Sequence, residues 1–362
     1  MRADHLRRVG YVGEVPDPAG GPAGGPDDLH RGPERLDVVA VGSALVDVIM
    51  RVTEADLDEL GLVKGSMSLV DRARAETIQT RATEAIERSG GSAANTAVGV
   101  AKLGGAAGFV GKVVDDRLGK LFTQDLRSNG VTFEPVADRS QDRQFGTGRC
   151  LVLVTEDAER TMATYLGAAT TIEPADVPLS LFSRAQVVYL EGYLWDMPSA
   201  VEVMHRVIDV GHGASASIAL SLSDPFCVQR HRRQFLELVR DDLDILFGNE
   251  EELRCLFDAP SFEDALDAAL ETGLLVAATR GPRGSVVTTP HGPVPVDAHP
   301  VRNLVDTTGA GDLYAAGFLF GLTHGADPSH CARLGGLCAS EVISHLGARP
   351  EAELRSMAAG LL

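Results

Sequence analysis

Asp306-Thr307-Thr308-Gly309-Ala310-Gly311-Asp312 runs directly into Leu313-Tyr314-Ala315-Ala316-Gly317-Phe318-Leu319, and this junction decides how the chain is read. Small residues give way to an apolar helical run, which places a helix N-terminus near 309–312 with backbone N–H groups free of intrahelical partners. Such an end attracts an anion, and the small residues let a phosphoryl group approach the backbone. Asp312 adds a carboxylate at the same end, able to take a hydroxyl proton. A plainer reading is also open: Asp312 caps the helix and the glycines only make a turn. Two other phosphate-binding schemes are excluded. Tyr314 stands where a dinucleotide fingerprint needs its third glycine. Around Gly111-Lys112, Ala106 replaces the first glycine of a Walker A loop and Val113 its Ser or Thr.

A second segment reads Gly90-Gly91-Ser92-Ala93-Ala94-Asn95-Thr96-Ala97-Val98-Gly99. The double glycine turns the chain tightly into a helix whose small first-turn residues let a ligand lie close, with Asn95 projecting near that end. A close-packed core helix would read the same way. Around these segments, short apolar runs at 36–42, 187–190, 217–220, 245–247 and 274–278 alternate with helical patterns. The helical stretches lie around 198–210, 230–240, 249–257 and 261–272. Alternation of this kind predicts βα units on a mainly parallel sheet covered on both faces. Strand-like runs at 43–52, 66–70, 150–154 and 161–165 interrupt it and predict a small β-sheet inserted as a lid, from about 43–72 and 131–170.

Composition narrows the classes. The chain has 362 residues and a net charge of −18, so nucleic acid and anionic membranes are repelled at long range. Phosphate binding must then rest on local amides, a cation or a few arginines. No run approaches the length of a membrane helix, and a cytoplasmic location is expected. The five cysteines form no C-x-x-C pair and the histidines show no ligand spacing, which argues against disulfides and zinc. Residues 1–34, rich in Gly and Pro, read as a disordered tail preceding one domain at 35–362.

Taken together, the Gly90–Asn95 and Asp306–Asp312 segments resemble the two signatures of the ribokinase family, also called phosphofructokinase-B, of sugar and nucleoside kinases. The resemblance covers about 36–350 and implies a ribokinase-like three-layer α/β/α fold. It implies ATP as phosphoryl donor, Mg²⁺, Asp312 as general base, and the 309–312 amides as an anion hole. Asp47 matches the acid that binds substrate hydroxyls, alongside Gly90, Gly91 and Asn95. Asn249 and Glu252 match an Asn-x-x-Glu element that organises Mg²⁺ through water. Thr279, Gly281 and Gly284 match the loop bordering the nucleotide. Arg160 matches a lid arginine that reaches the substrate. Asp306 and Thr308 match a loop beside which many relatives hold a monovalent cation such as K⁺.

The implied reaction moves the ATP γ-phosphoryl group to a primary hydroxyl. The segments at 157–167 and 189–195 look most like bacterial adenosine kinases, with Tyr193 near the place of a purine-stacking aromatic. Adenosine, giving AMP, is the first acceptor expected; a ribose- or fructose-type sugar is the alternative, and a catalytically silent nucleoside-binding protein a third reading. A monomer and a homodimer paired through the lid are both compatible with the sequence.

Overall fold

The computed structural model describes residues 35–81, 85–136, 142–157 and 159–361; the expected tail at 1–34 lies outside the described residues. The strands are, in chain order, β1 (Leu36–Val41), β2 (Leu45–Arg51), β3 (Met67–Leu69), β4 (Ala85–Ser89), β5 (Ala107–Val110), β6 (Gly148–Val154) and β7 (Arg160–Tyr165). They continue with β8 (Ala185–Glu191), β9 (Ser217–Ser221), β10 (Ile245–Asn249), β11 (Leu275–Thr279), β12 (Ser285–Thr289) and β13 (Gly292–Val296).

The larger sheet has the order β13-β12-β11-β10-β9-β8-β1-β5. It is parallel from β5 to β11, while β12 and β13 close one edge antiparallel. Strand residues alternate between two cores, as a sheet covered on both faces requires. Val38 and Ala40 join one core with Tyr189, Phe247 and the helices Ser92–Leu103, Ala310–Thr323 and Pro328–Val342. Val39 and Val41 join the other, with the helices Pro198–Gly213, Pro225–Asp241, Glu250–Phe257 and Phe262–Thr272. Three of the helices begin at Asp or Asn caps whose side chains accept a first-turn N–H: Asp224, Asn249 and Asp327.

The smaller sheet has the order β3-β7-β6-β2-β4. It includes the expected runs and one more, β4, whose Ile86 and Ala85 are exposed and whose alternation the sequence hid. Its back face packs Val48, Met50, Leu151 and Leu153 against Leu57, Ala75 and Ile78 of the short helices Glu54–Glu59 and Arg72–Gln79. Its front face carries Asp47, which opposes Cys150 across the ladder, and Cys150 in turn opposes Thr164. Because successive strand residues alternate, burying Val46 and Val48 turns Asp47 forward.

The helix Ala310–Thr323 is buried from Leu313 to Gly321, so the junction that decides the reading sits at the end of a central helix. Phe318 is fully buried, edge-on to Phe247 of β10 with ring centroids 5.4 Å apart, and stacks on Tyr314. Phe318→Ala should lower unfolding free energy by about 3–5 kcal/mol, read as a fall in urea midpoint at unchanged m-value.

Candidate active site

The C-terminal residues of four neighbouring parallel strands, Glu191, Ser221, Asn249 and Thr279, line one cleft of about 990 Å³. Ligand sites of open α/β sheets form at this edge. The front of the smaller sheet forms another wall through Asp47, Cys150, Arg160, Met162 and Thr164. Thr308, Gly309, Ala310, Gly311 and Asp312 supply a third.

At the helix start, Gly309 has φ of 79°, a conformation glycine adopts without strain, and a Cβ there would meet Ala348 at 2.7 Å. The Ala310 amide donates to the Thr307 carbonyl at 3.2 Å and is therefore engaged within the turn. The amides of Gly309, Gly311 and Asp312 make no hydrogen bond with the described residues. Space beside Gly311 is open, so a phosphoryl group fits against this helix end.

Asp312 joins the two sequence segments. Its Oδ1 accepts from Ser92 Oγ at 2.6 Å and its Oδ2 from Asn95 Nδ2 at 2.8 Å, while its carbonyl accepts from Thr96 Oγ1. Burial raises its pKa from the ordinary carboxylate value; the Asn95 and Ser92 hydrogen bonds and the Arg349 charge oppose that rise. Asp47 is pushed up to about 7, chiefly by burial, with Arg349 pulling it down and Asp312 pushing it further up. Gly90 lies behind Asp47: a Cβ there would stand 2.4 Å from Asp47 Oδ2, so only glycine lets the carboxylate seat. Gly91 and Asn95 line the cleft.

Glu191, which sequence reasoning missed, is buried at the end of β8. It accepts from the Ala93 amide at 2.9 Å and the Ser43 amide at 3.4 Å, and burial pushes it up to about 7. The available signal was an acid directly following an apolar strand. Ser92 and Arg349 were also missed.

Arg160 reaches from β7 to the helix-start loop. Its Nη1 donates to Thr308 Oγ1 at 2.6 Å and its Nη2 lies 2.5 Å from Asp306 Oδ2. Asp306 is buried and also accepts from the amides of Thr308 (2.9 Å) and Gly347 (2.7 Å). Tyr193 lines the cleft, half-buried, and packs partly on the core. Its hydroxyl approaches the Ser223 carbonyl at 3.5 Å.

Asn249 and Glu252 form a reciprocal cap. Asn249 Oδ1 accepts from the Glu252 amide at 2.9 Å, and Asn249 Nδ2 donates to Glu252 Oε1 at 2.6 Å. Burial pushes Glu252 up to about 7. Both face the cleft, and an amide oxygen with a carboxylate suits a hydrated Mg²⁺ held through its waters. Thr279 and Gly281 line the cleft beside them. Gly284 does not: it turns tightly behind, where a Cβ would strike the Val296 carbonyl oxygen. Arg280 pairs with Glu250 at 2.9 Å and lies over the Phe262 ring.

Residues 35–354 match the pfkB family of carbohydrate kinases. The chain belongs to that family. Its fold superposes on a probable sugar kinase from Rhizobium etli with TM-score 0.86 and 41% identity, covering 91% of this chain and 100% of the other. It superposes on the adenosine kinase from Sinorhizobium meliloti with TM-score 0.84 and 43% identity, covering 91% and 100%. Among curated sequences, the 5-dehydro-2-deoxygluconokinase of Geobacillus kaustophilus is 28% identical over 266 residues, 70% of this chain and 78% of that protein. The protein is a kinase of the carbohydrate and nucleoside class, and kinases of this family take ATP as phosphoryl donor. No helix of the described residues is long and apolar enough to cross a membrane.

Gly90→Ala forces the Asp47 carboxylate from its seat. The KM for the acceptor should rise at least about ten-fold with the KM for ATP little changed, as measured by initial rates with each substrate varied in turn.

Proposed function

We propose that this kinase transfers the γ-phosphoryl group of ATP to a primary hydroxyl, with the 5′-hydroxyl of adenosine as preferred acceptor and AMP as product. The observation that carries the reading is the Asp312 carboxylate, held by Ser92 and Asn95 beside the unengaged amides of Gly309, Gly311 and Asp312. In this reading Asp312 takes the hydroxyl proton, the acceptor oxygen bonds to the γ-phosphorus, and the bond from that phosphorus to the β–γ bridging oxygen breaks to release ADP. The three amides stabilise charge on the migrating group. Bound Mg²⁺ supplies charge neutralisation on the nucleotide oxygens, and Asn249 and Glu252 are the residues that hold its waters.

Asp47 accepts hydrogen bonds from ribose hydroxyls, with Asn95 and the Gly90-Gly91 turn shaping the same subsite. Thr279 and Gly281 border the nucleotide, with Gly284 shaping the turn behind them. The smaller sheet acts as a lid: Arg160 brings a positive charge from it to the loop bearing the anion site, and closure excludes water from the transferred group. The 43% identity to an adenosine kinase over nearly the full chain supports the nucleoside acceptor. So does a wall of Met67, Leu69, Met162, Leu166 and Tyr193, apolar enough to receive a flat base. Stacking on Tyr193 would add about 1–3 kcal/mol.

A sugar acceptor is the second reading. It is favoured by the curated relatives and by two carboxylates, the part-buried Asp47 and the buried Glu191, in a cleft able to bind several hydroxyls. Parallel kcat/KM values for adenosine, inosine, ribose, fructose and the acceptor of those relatives decide between them. Adenosine should lead; a lead for any sugar overturns the nucleoside assignment.

Asp312→Asn should lower kcat by roughly 10²–10⁴ with both substrates still bound. Normal turnover in that variant would remove the general-base role. The sign of the pH dependence follows from the raised pKa of both acids. Asp47 titrates at about 7 and Asp312 above its ordinary value, and both act as carboxylates, so kcat/KM should fall as pH drops through 7. A flat profile between pH 8 and 5.5 contradicts this.

A further inference from the structure

The segment following the helix Pro328–Val342 touches both halves of the site. Val305 and Asp306 donate their amides to the Ile343 carbonyl, at 2.9 and 3.2 Å. Gly347 donates to Asp306, and Ala348 lies against Gly309. Arg349 turns the other way: its Nη2 donates to Ser89 Oγ at 2.7 Å and to the Gly90 carbonyl at 3.3 Å. Gly90 is the residue on which the Asp47 carboxylate rests.

The Arg349 side chain is only 11% exposed, and its Nε and Nη1 donate no hydrogen bond to the described residues. A guanidinium in that setting carries a large desolvation cost unless anions face it. Asp125 of the helix Arg117–Ser128 stands nearest, its Oδ2 3.5 Å from Nε. The Asp47 carboxylate of β2 rests on Gly90, whose carbonyl Nη2 meets, and the charges of Asp47 and Asp312 both act on the guanidinium. We propose that Arg349 is a positioning residue for the transfer reaction, fastening the double-glycine turn to the Asp312 loop and setting a buried positive charge opposite the Asp47 and Asp312 carboxylates.

The inference rests on the proposed function for its kinetic consequence, but its electrostatic core needs no turnover. The charged groups acting on Asp47 are Arg349 and Arg160, which lower its pKa, and Asp312 and Asp306, which raise it. The neighbouring Cys150 thiol is itself pushed up by burial and by Asp47. Arg88, opposite Asp47 on β4, is bound to Glu351 and the Leu346 carbonyl. Asp312 also faces Ser92 and Asn95, and its charge acts on Tyr189 and Glu191. Arg349 is thus the cation these two acids share.

Carboxyl-carbon NMR titration of the full chain tests this, with Asp47 assigned through Asp47→Asn. In Arg349→Met the Asp47 midpoint should rise by about one pH unit from its wild-type value. Arg349→Lys should leave it near wild type. Arg349→Gln keeps an amide donor for Ser89 and Gly90 without the charge. It should raise the midpoint while holding Tm close to wild type, which keeps the test decisive where the Met variant fails to fold. An unshifted midpoint in Met or Gln, or an equal shift in Lys, overturns the proposal. In kinetics, the acid limb of kcat/KM should move upward with the midpoint. A wild-type chain that phosphorylates no acceptor counts against the proposed function and leaves the titration result standing on its own.

Discussion

The hydrogen bonds from Ser92 and Asn95 to Asp312 hold the site together. They tie the first turn of one helix to the first turn of another more than 200 residues away, and they do so on a part-buried carboxylate. Burial alone favours the neutral acid. Two donors and a guanidinium favour the anion. The balance leaves an acid more basic than an exposed aspartate and fixed in direction, which is the condition for accepting a proton at one defined place. The packing beneath serves that joint, since the helices bearing the two first turns share one core against the same sheet face.

Charge compensation explains how a chain of net charge −18 offers an anion site. Asp47, Glu191, Glu252 and Asp312 crowd one cleft, and burial pushes each upward. Arg160 neutralises Asp306, and Arg349 faces Asp47 and Asp312. With these cations paired to carboxylates, the proposed attraction for a phosphoryl group rests mainly on backbone amides at a helix start, whose partial charges are fixed and carry no desolvation debt of a full ion. Selectivity over long-range electrostatics follows: the anion must fit the amide geometry, because the surrounding field repels it.

The parts of this architecture visible in the sequence are those with local causes. Runs such as Leu36–Val41 and Ile245–Asn249 are apolar because both faces of the sheet are covered, and the expected helices match Pro198–Gly213 and Phe262–Thr272 within a few residues. Gly309 and the double glycine announce themselves because backbone conformation and close approach demand them. β4 was hidden because Ala85, Ile86 and Glu87 alternate against nothing periodic; the strand exists through its pairing with β2. Ser92 lay within a quoted segment, yet its role depends on Asp312 being opposite. Arg349 left no local trace, because its hydrogen-bond partners lie some 260 residues away.

The same distinction bears on Asp306 and Thr308, where the family resemblance suggested a monovalent cation. In this structure the Arg160 guanidinium meets both side chains, and the Asp306 carboxylate also accepts two backbone amides. A carboxylate so supplied has its negative charge balanced by the chain itself. Its geometric work is then to hold the 306–309 loop against Gly347 and to give the smaller sheet a fixed point of contact through Arg160. That contact sits two residues from the helix start. Motion of β7 away from the larger sheet therefore pulls on an ion pair beside the helix start, which links the position of the smaller sheet to the loop proposed to receive the phosphoryl group.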